Sequence, residues 1–143
     1  MCSVTHVAVG ALLGSLVNNA LAAFGLGVVS HIPLDAIPHF DFKDFRLDAV
    51  ESVVFLVAVL VVGGLSPMLF GAIGSVLPDI ENLLWKVGLL DENHKIFPTH
   101  SGLVKHGRAR MAGGTGSEIT VTLLSAGIIA LAVLVKAIRG GTI

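Results

Sequence analysis

Long apolar stretches with few charges constrain this chain more than any other feature of its sequence. Four of them cover approximately residues 4–37, 49–65, 68–90 and 118–138. Charged residues make up 13% of the 143 residues, whereas an ordinary soluble domain has about 25%. We therefore predict an all-α integral membrane helical bundle, a single membrane domain over residues 1–143 with about four apolar helical segments.

The first apolar stretch has two alternative conformations. As one straight helix, the 26 residues 4–29 would be about 39 Å long, against roughly 30 Å of hydrocarbon in a bilayer. Adjacent asparagines favour turns, so a helical hairpin that turns at Asn18 and Asn19 is the alternative. A hairpin would bring His6 next to His31, whereas a straight helix would place them at opposite membrane faces. We favour the hairpin.

Three potential ligands follow this stretch at a spacing of four residues. On a helix, His31, Asp35 and His39 would share one face. Two imidazoles and a carboxylate form a ligand set for a divalent metal ion, zinc above all. Pro33 and Pro38 disfavour a regular helix here, so we expect a kink or a helix end among these ligands.

Other polar residues are predicted to converge on the same side. Asp79 lies within an apolar segment, where a buried acid is costly and is therefore a functional candidate. The polar loop over residues 91–117 contains His94, His100 and His106. Five of the six histidines would thus lie near one surface, joined by His6 if the hairpin forms.

Loop charges predict which side this is. Seven basic residues belong to the connecting segments on the histidine-rich side: Lys43, Arg46, Lys86, Lys95, Lys105, Arg108 and Arg110. The opposite side has two, Lys136 and Arg139. By the positive-inside rule we expect a multi-pass protein of the cell membrane whose site faces the cytoplasm. The bilayer is the expected partner; there is no basic stripe with interleaved aromatic residues to indicate nucleic acid.

Three short motifs resemble those of the membrane-bound metal-dependent hydrolases described as LexA-binding and inner-membrane-associated. Residues 27–35 resemble the family's glycine–x–x–serine–histidine–x–x–x–aspartate motif, and residues 77–81 its leucine–proline–aspartate–x–aspartate motif. Residues 94–101 resemble its histidine–arginine–x–x–threonine–histidine–serine motif. The motif order is rearranged, since the serine–histidine–aspartate motif comes first here and last in the family.

The resemblance implies a metal-dependent hydrolase, distantly related to zinc-dependent phospholipases C. It implies metal or catalytic roles for six residues: His6, His31, Asp35, Asp79, His94 and His100. His39 and His106 lie outside these motifs and are additional candidate metal ligands by their position alone.

In an enzyme of this kind, Asp79 and Glu81 are the candidate catalytic carboxylates, with Glu81 as general base. Arg108 and Arg110 are candidates to bind a phosphate oxygen. The location favours a phosphoester or phospholipid-like substrate. The alternative is a non-catalytic membrane protein whose polar cluster ties helices together or docks a cytoplasmic partner.

Overall fold

The computed structural model describes residues 2–112 and 115–139, so Gly113 and Gly114 of the predicted loop lie outside the described residues. The all-α class is confirmed, with six helices in the described chain. They are α1 (Ser3–Ser15), α2 (Ala20–Ala36), α3 (Phe45–Gly63), α4 (Pro67–Val76), α5 (Asp79–Lys86) and α6 (Thr115–Ile138). Two short strands, β1 (His39–Phe42) and β2 (Ala109–Ala112), form a parallel pair that the sequence analysis did not predict.

The first apolar stretch is the hairpin. Helix α1 ends at Ser15, and α2 begins after Asn19, whose side chain caps it by accepting a hydrogen bond from the backbone of Ala22 at 2.9 Å. His6, near the start of α1, stacks on His31, near the end of α2, with ring centroids 3.8 Å apart. The two helices are therefore antiparallel, and the hairpin joins the two histidines.

Helix α4 packs against both arms of this hairpin through small residues. A side chain added at Gly71 of α4 would collide with the backbone of Gly10 and Gly14 on α1, and one added at Gly27 of α2 would collide with Gly71. Ser75 continues the same face and donates a hydrogen bond of 2.9 Å to Ala72 within its own helix. Small residues let these backbones approach closely, as in helix packing within membranes.

The apolar segment 68–90 is not one long helix. It divides into α4 and α5, because Pro78 has no N–H to donate and its ring obstructs the preceding turn. The 10 residues of α4 make a helix of about 15 Å, half the thickness of the hydrocarbon core. Neither helix can cross a bilayer by itself.

Among the described residues, one helix is long and apolar enough to cross a membrane. It is the stretch Ile119–Ile138 of α6, with a mean hydropathy of 2.4. Helix α3 has 19 residues but carries Arg46, Asp48 and Glu51 in its first two turns. The sequence pattern predicts a multi-pass membrane protein, but within the described residues only α6 has the length and hydropathy of a membrane span.

The molecule has two distinct ends. At one, Lys136 of α6 donates a hydrogen bond of 2.8 Å to the carbonyl of Gly63, the last residue of α3. At the other, Asp48 of α3 accepts hydrogen bonds from the backbone of Ser3 and Val4 at 3.0 and 3.4 Å, which caps the start of α1. We call this second end the site end, because His6, His31 and Asp79 lie there.

The glycine packing generates a first prediction. Gly71→Ala should destabilise the fold by about 1–3 kcal/mol, because the added methyl group overlaps the backbone of α1. Gly25→Ala is the matched control: it lies in α2 with open space around it, and the change should stabilise by about 0.5–1 kcal/mol. Thermal unfolding followed by circular dichroism measures both. Equal shifts in the two variants would contradict close packing of α1 on α4.

Candidate metal centre

Four separate parts of the chain contribute to one polar cluster at the site end. Helix α1 supplies His6, the end of α2 supplies His31 and Asp35, the start of α5 supplies Asp79, and the loop after α5 supplies His100. His6, His31 and Asp35 are buried to within 1% of their surface. Polar side chains buried this deeply need partners or a bound ion.

His31 and Asp35 share one face of α2, as their spacing of four residues predicts. Helix α2 runs on through Pro33 and ends at Ala36, ahead of Pro38. His31 and Asp35 therefore lie one turn apart on the same face, with Nε2 of His31 at 3.2 Å from Oδ2 of Asp35. His39 lies in β1, beyond the helix end, and does not continue that face.

His31, Asp35 and His100 have the mutual spacing of ligands around a single ion. The two Nε2 atoms are 3.3 Å apart, and Oδ2 of Asp35 lies 3.2 Å from His31 and 3.3 Å from His100. Ligand atoms about 2.0–2.1 Å from a zinc ion stand about 3.3–3.4 Å apart at the corners of a tetrahedron. The three atoms occupy the corners of such a face.

A second group of potential ligands shares His31 with the first. Ligand atoms of His6, His31 and Asp79 all lie within 4.8 Å of one another. Nδ1 of His6 and Oδ2 of Asp79 are buried and have no hydrogen-bond partner, whereas Nε2 of His6 lies 3.3 Å from Oδ1 of Asp35. Unpaired buried polar atoms are costly, so they indicate a group that binds between them.

Neighbouring groups orient the ligands of the first group. Nδ1 of His31 lies 2.6 Å from the carbonyl oxygen of Ser75; since a carbonyl only accepts, Nδ1 carries the proton and neutral His31 has its lone pair on Nε2. Thr99 donates a hydrogen bond of 2.8 Å to Oδ2 of Asp35. Such contacts from outside the ligand set are what fixes the orientation of metal ligands in proteins.

The electrostatics of the cluster also suit a cation. Burial would raise the pKa of Asp35, but the imidazoles of His100, His31 and His6 around it outweigh burial and hold the pKa below its usual range. Burial lowers the pKa of His6, which favours the neutral ring with a free lone pair. Burial would also lower the pKa of His31, but the carboxylates of Asp35 and Asp79 outweigh burial and raise that pKa. A metal ion at Nε2 of His31 therefore has to displace a proton, and its binding should release that proton.

Glu81 lies beside the cluster but holds the loop. Its carboxylate accepts hydrogen bonds from the backbone of Ile96 and Phe97 at 3.1–3.2 Å. Oε2 lies 3.5 Å from Nδ1 of His100, on the side of the ring away from Asp35. This places Glu81 as a group that positions the 96–100 segment and the His100 ring.

The remaining predicted residues are outside the ligand groups. His106 is the nearest, with Nε2 at 3.6 Å from Oδ2 of Asp35. His39 bonds the carbonyl of Ile37 at 2.7 Å and its ring lies 4.9 Å from that of His106. His94, Arg108 and Arg110 are exposed on the surface of the loop region.

Sequence reasoning missed Ser75, Asn82 and Thr99 as parts of the site. Asn82 is 3.1 Å from Nε2 of His100, and it follows Asp79 by three residues, on the same face of α5. Thr99 stands directly before His100, so its position in a conspicuous motif was the available signal. Ser75 orients His31 through its backbone carbonyl. Every residue has such a carbonyl, so the residue type at position 75 gave no signal.

Cys2 is not a candidate ligand. Its thiol is buried and lies 2.9 Å from the carbonyl oxygen of Phe40, to which it donates. Burial, reinforced by the nearby carboxylates of Asp48 and Asp41, raises its pKa to about 12. The neutral thiol is therefore favoured, and Cys2 belongs to neither group of potential ligands.

No protein-family model, curated protein or solved structure matches this chain.

The ligand geometry predicts stoichiometric metal binding. Purified protein should bind about one zinc ion per chain, and His31→Ala and Asp35→Ala should lose it, because each removes a corner of the tetrahedral face. His94→Ala is the matched control, since His94 is exposed and outside the cluster. Elemental analysis after dialysis against zinc measures the content. Wild-type protein without metal, or a loss in His94→Ala equal to that in His31→Ala, would contradict the site.

The bond from Thr99 predicts a smaller effect. Thr99→Val keeps the shape but removes the donor to Asp35, so zinc affinity should fall by about 10–100-fold without loss of stoichiometry. Ser101→Ala, two residues along the same loop and exposed, should leave the affinity unchanged. Competition with a chelating dye gives both dissociation constants. Equal affinities in Thr99→Val and wild type would show that Asp35 is oriented without Thr99.

Proposed function

We propose that this protein is a membrane-embedded, divalent-metal-dependent hydrolase that acts on phosphoester or phospholipid-like substrates. The observation that carries the proposal is the triangle of His31, Asp35 and His100, with three acceptor atoms 3.2–3.3 Å apart. Three acceptors that face one another repel unless a proton or a cation lies among them. Zinc is the ion of choice for two imidazoles and a carboxylate.

Asp35 and Asp79 have different roles in this proposal: Asp35 would help to hold the metal ion, and Asp79 would accept a proton. A divalent ion held by the triangle would lower the pKa of a coordinated water and polarise the substrate's oxygen. Asp79 is 14% exposed and its Oδ2 has no hydrogen-bond partner, so it is placed to accept the proton that the water loses. The water oxygen forms a bond to phosphorus, the bond from phosphorus to the leaving oxygen breaks, and that oxygen takes up a proton.

Glu81 has a positioning role in this scheme. Both of its oxygens already accept hydrogen bonds from backbone N–H groups. Its contact with Nδ1 of His100 keeps the opposite nitrogen, Nε2, directed at Asp35. Asp79 therefore replaces Glu81 as the proposed general base.

The apolar surface supports a membrane location. Large apolar side chains of α3 and α6 are exposed, among them Val53, Val57 and Val61 on α3 and Leu123 and Leu131 on α6. An exposed apolar surface of this extent is typical of contact with lipid. Helix α6 is the proposed crossing helix, and the excess of basic residues in the connecting segments supports a cytoplasmic orientation of the site end.

A non-catalytic role has one specific observation in its favour. The single carboxylate of Asp35 contacts His6, His31 and His100, which come from three parts of the chain. A carboxylate shared in this way ties helices together without any ion. The two functions differ in their requirement for metal and for Asp79.

An assay of phosphoester hydrolysis distinguishes the catalytic role from the structural one. Zinc-loaded protein in lipid nanodiscs should hydrolyse a phosphoester from a panel of monoesters, diesters and phospholipids, and chelation should abolish the activity. Asp79→Asn should lower kcat by about 10²–10⁴-fold while the zinc content stays at the wild-type value, because it removes a proton acceptor and leaves the triangle intact. Glu92→Gln, an exposed carboxylate, is the control. A zinc-loaded wild type that is inactive on the whole panel would favour the structural role.

A further inference from the structure

A cavity of about 340 Å³ extends from the cluster between α3 and α5. We call it the lateral cavity. Its polar end includes Asp35, Asp41, Asp79 and His106. The cavity therefore reaches the triangle at Asp35, whose Oδ2 lies 3.2–3.3 Å from His31 and His100. A volume of this size is within the range of small-molecule binding sites in proteins.

One face of α3 forms a wall of the lateral cavity. Phe45, Ala49, Val53 and Leu56 line it, at spacings of four, four and three residues. These positions follow each other along a single stripe of a helix, and the stripe is about 16 Å long. The wall carries two polar residues along this length. Asp48 is engaged with the backbone of α1, and the hydroxyl of Ser52 donates a hydrogen bond of 2.8 Å to the carbonyl of Asp48.

Helix α5 forms the opposite wall, which is charged at its start and apolar in its middle. Asp79 begins it at the cluster, and Ile80 and Leu83 follow on the cavity side. Ile80 is 47% exposed and Leu83 is 40% exposed, and Val53 across the cavity is 59% exposed. The cavity is therefore open to the apolar exterior of the protein as well as to the cluster.

A cation lies at the rim. Lys86 lines the cavity at the end of α5, with its Nζ 5.3 Å from the centre of the Phe45 ring. The lateral cavity thus combines a metal-binding cluster, an ammonium group and an apolar stripe that opens sideways. An anionic head and a hydrocarbon tail on one molecule match this order of groups.

We propose that the lateral cavity binds the hydrocarbon tail of an amphiphilic phosphoester, with the phosphate at the His31–Asp35–His100 triangle. This inference rests on the proposed function and makes it specific, since it restricts the substrate to esters with a long chain. The substrate enters sideways between Val53 and Leu83, so its tail does not have to leave an apolar environment. Small water-soluble phosphoesters reach the same centre but gain nothing from the α3 stripe.

Ligand binding tests the tail site without requiring turnover. Dodecyl phosphate should bind zinc-loaded wild type about tenfold or more tightly than butyl phosphate, after correction for partition into empty nanodiscs. Val53→Trp fills the cavity and should bring the two affinities within about twofold of each other. Val54→Trp is the matched control, since Val54 is its exposed neighbour on α3 and does not line the cavity. Isothermal titration calorimetry measures these constants. A chain-length preference that is equal in the two tryptophan variants would overturn the proposal.

Photo-crosslinking separates a failure of the tail site from a failure of the metal centre. A dodecyl phosphate with a diazirine at its chain end should label residues around Leu56 and Val53 in wild type, and the same residues in metal-free His31→Ala. Label in that variant supports the tail site even if the hydrolase proposal fails. Labelling of the outer face of α3, around Val54 and Val61, that equals the labelling of the cavity face would mean contact with bulk lipid. That result would overturn the tail site while leaving the metal centre intact.

Discussion

The burial of the Asp35 carboxylate is the constraint on which the rest of this structure depends. A carboxylate that is 1% exposed would cost several kcal/mol if it had no compensating partners. Compensation comes from His6, His31 and His100, together with the hydroxyl of Thr99. Because these groups belong to α1, α2 and the loop after α5, satisfying one charge requires the hairpin and the loop to be in place together.

The close packing of α1, α2 and α4 makes this compensation possible. His6 and His31 stack at 3.8 Å only because the hairpin arms are drawn together against the glycines of α4. Ser75 then serves both arms, since its hydroxyl donates to the carbonyl of His6 and its own carbonyl orients His31. Small residues thus act on the site through the distance between backbones, and a methyl group at Gly71 would move ligands that it does not touch.

Local spacing predicted the parts of the site that lie within one helix, and long-range contacts decided the rest. The pair His31 and Asp35 followed from a separation of four residues, and the hairpin followed from the two asparagines. Pro78 is the sequence signal for the division of 68–90 into two helices. The composition of 68–90 predicts one apolar segment that contains Asp79, whereas Asp79 begins the second helix. The role of Glu81 was not predictable, because it depends on backbone N–H groups of residues 96 and 97, fifteen and sixteen positions away. His94 and His100 belong to the same motif, and only the fold of the loop makes one an exposed ring and the other a candidate metal ligand.

Charge balance connects the two groups of ligands. Asp35 and Asp79 lie on either side of His31, whose Nε2 is 3.2 Å from the first and 3.7 Å from the second. Two carboxylates beside imidazoles that are neutral on metal binding carry a total charge of −2, which one divalent ion neutralises. In a low-dielectric surrounding such as the apolar wall of the lateral cavity, an uncompensated charge of this size would be far more costly than in water. The same low-dielectric surrounding that makes an uncompensated charge costly would strengthen the attraction of the cluster for a cation and, once a cation is bound, for an anionic head group at the same point.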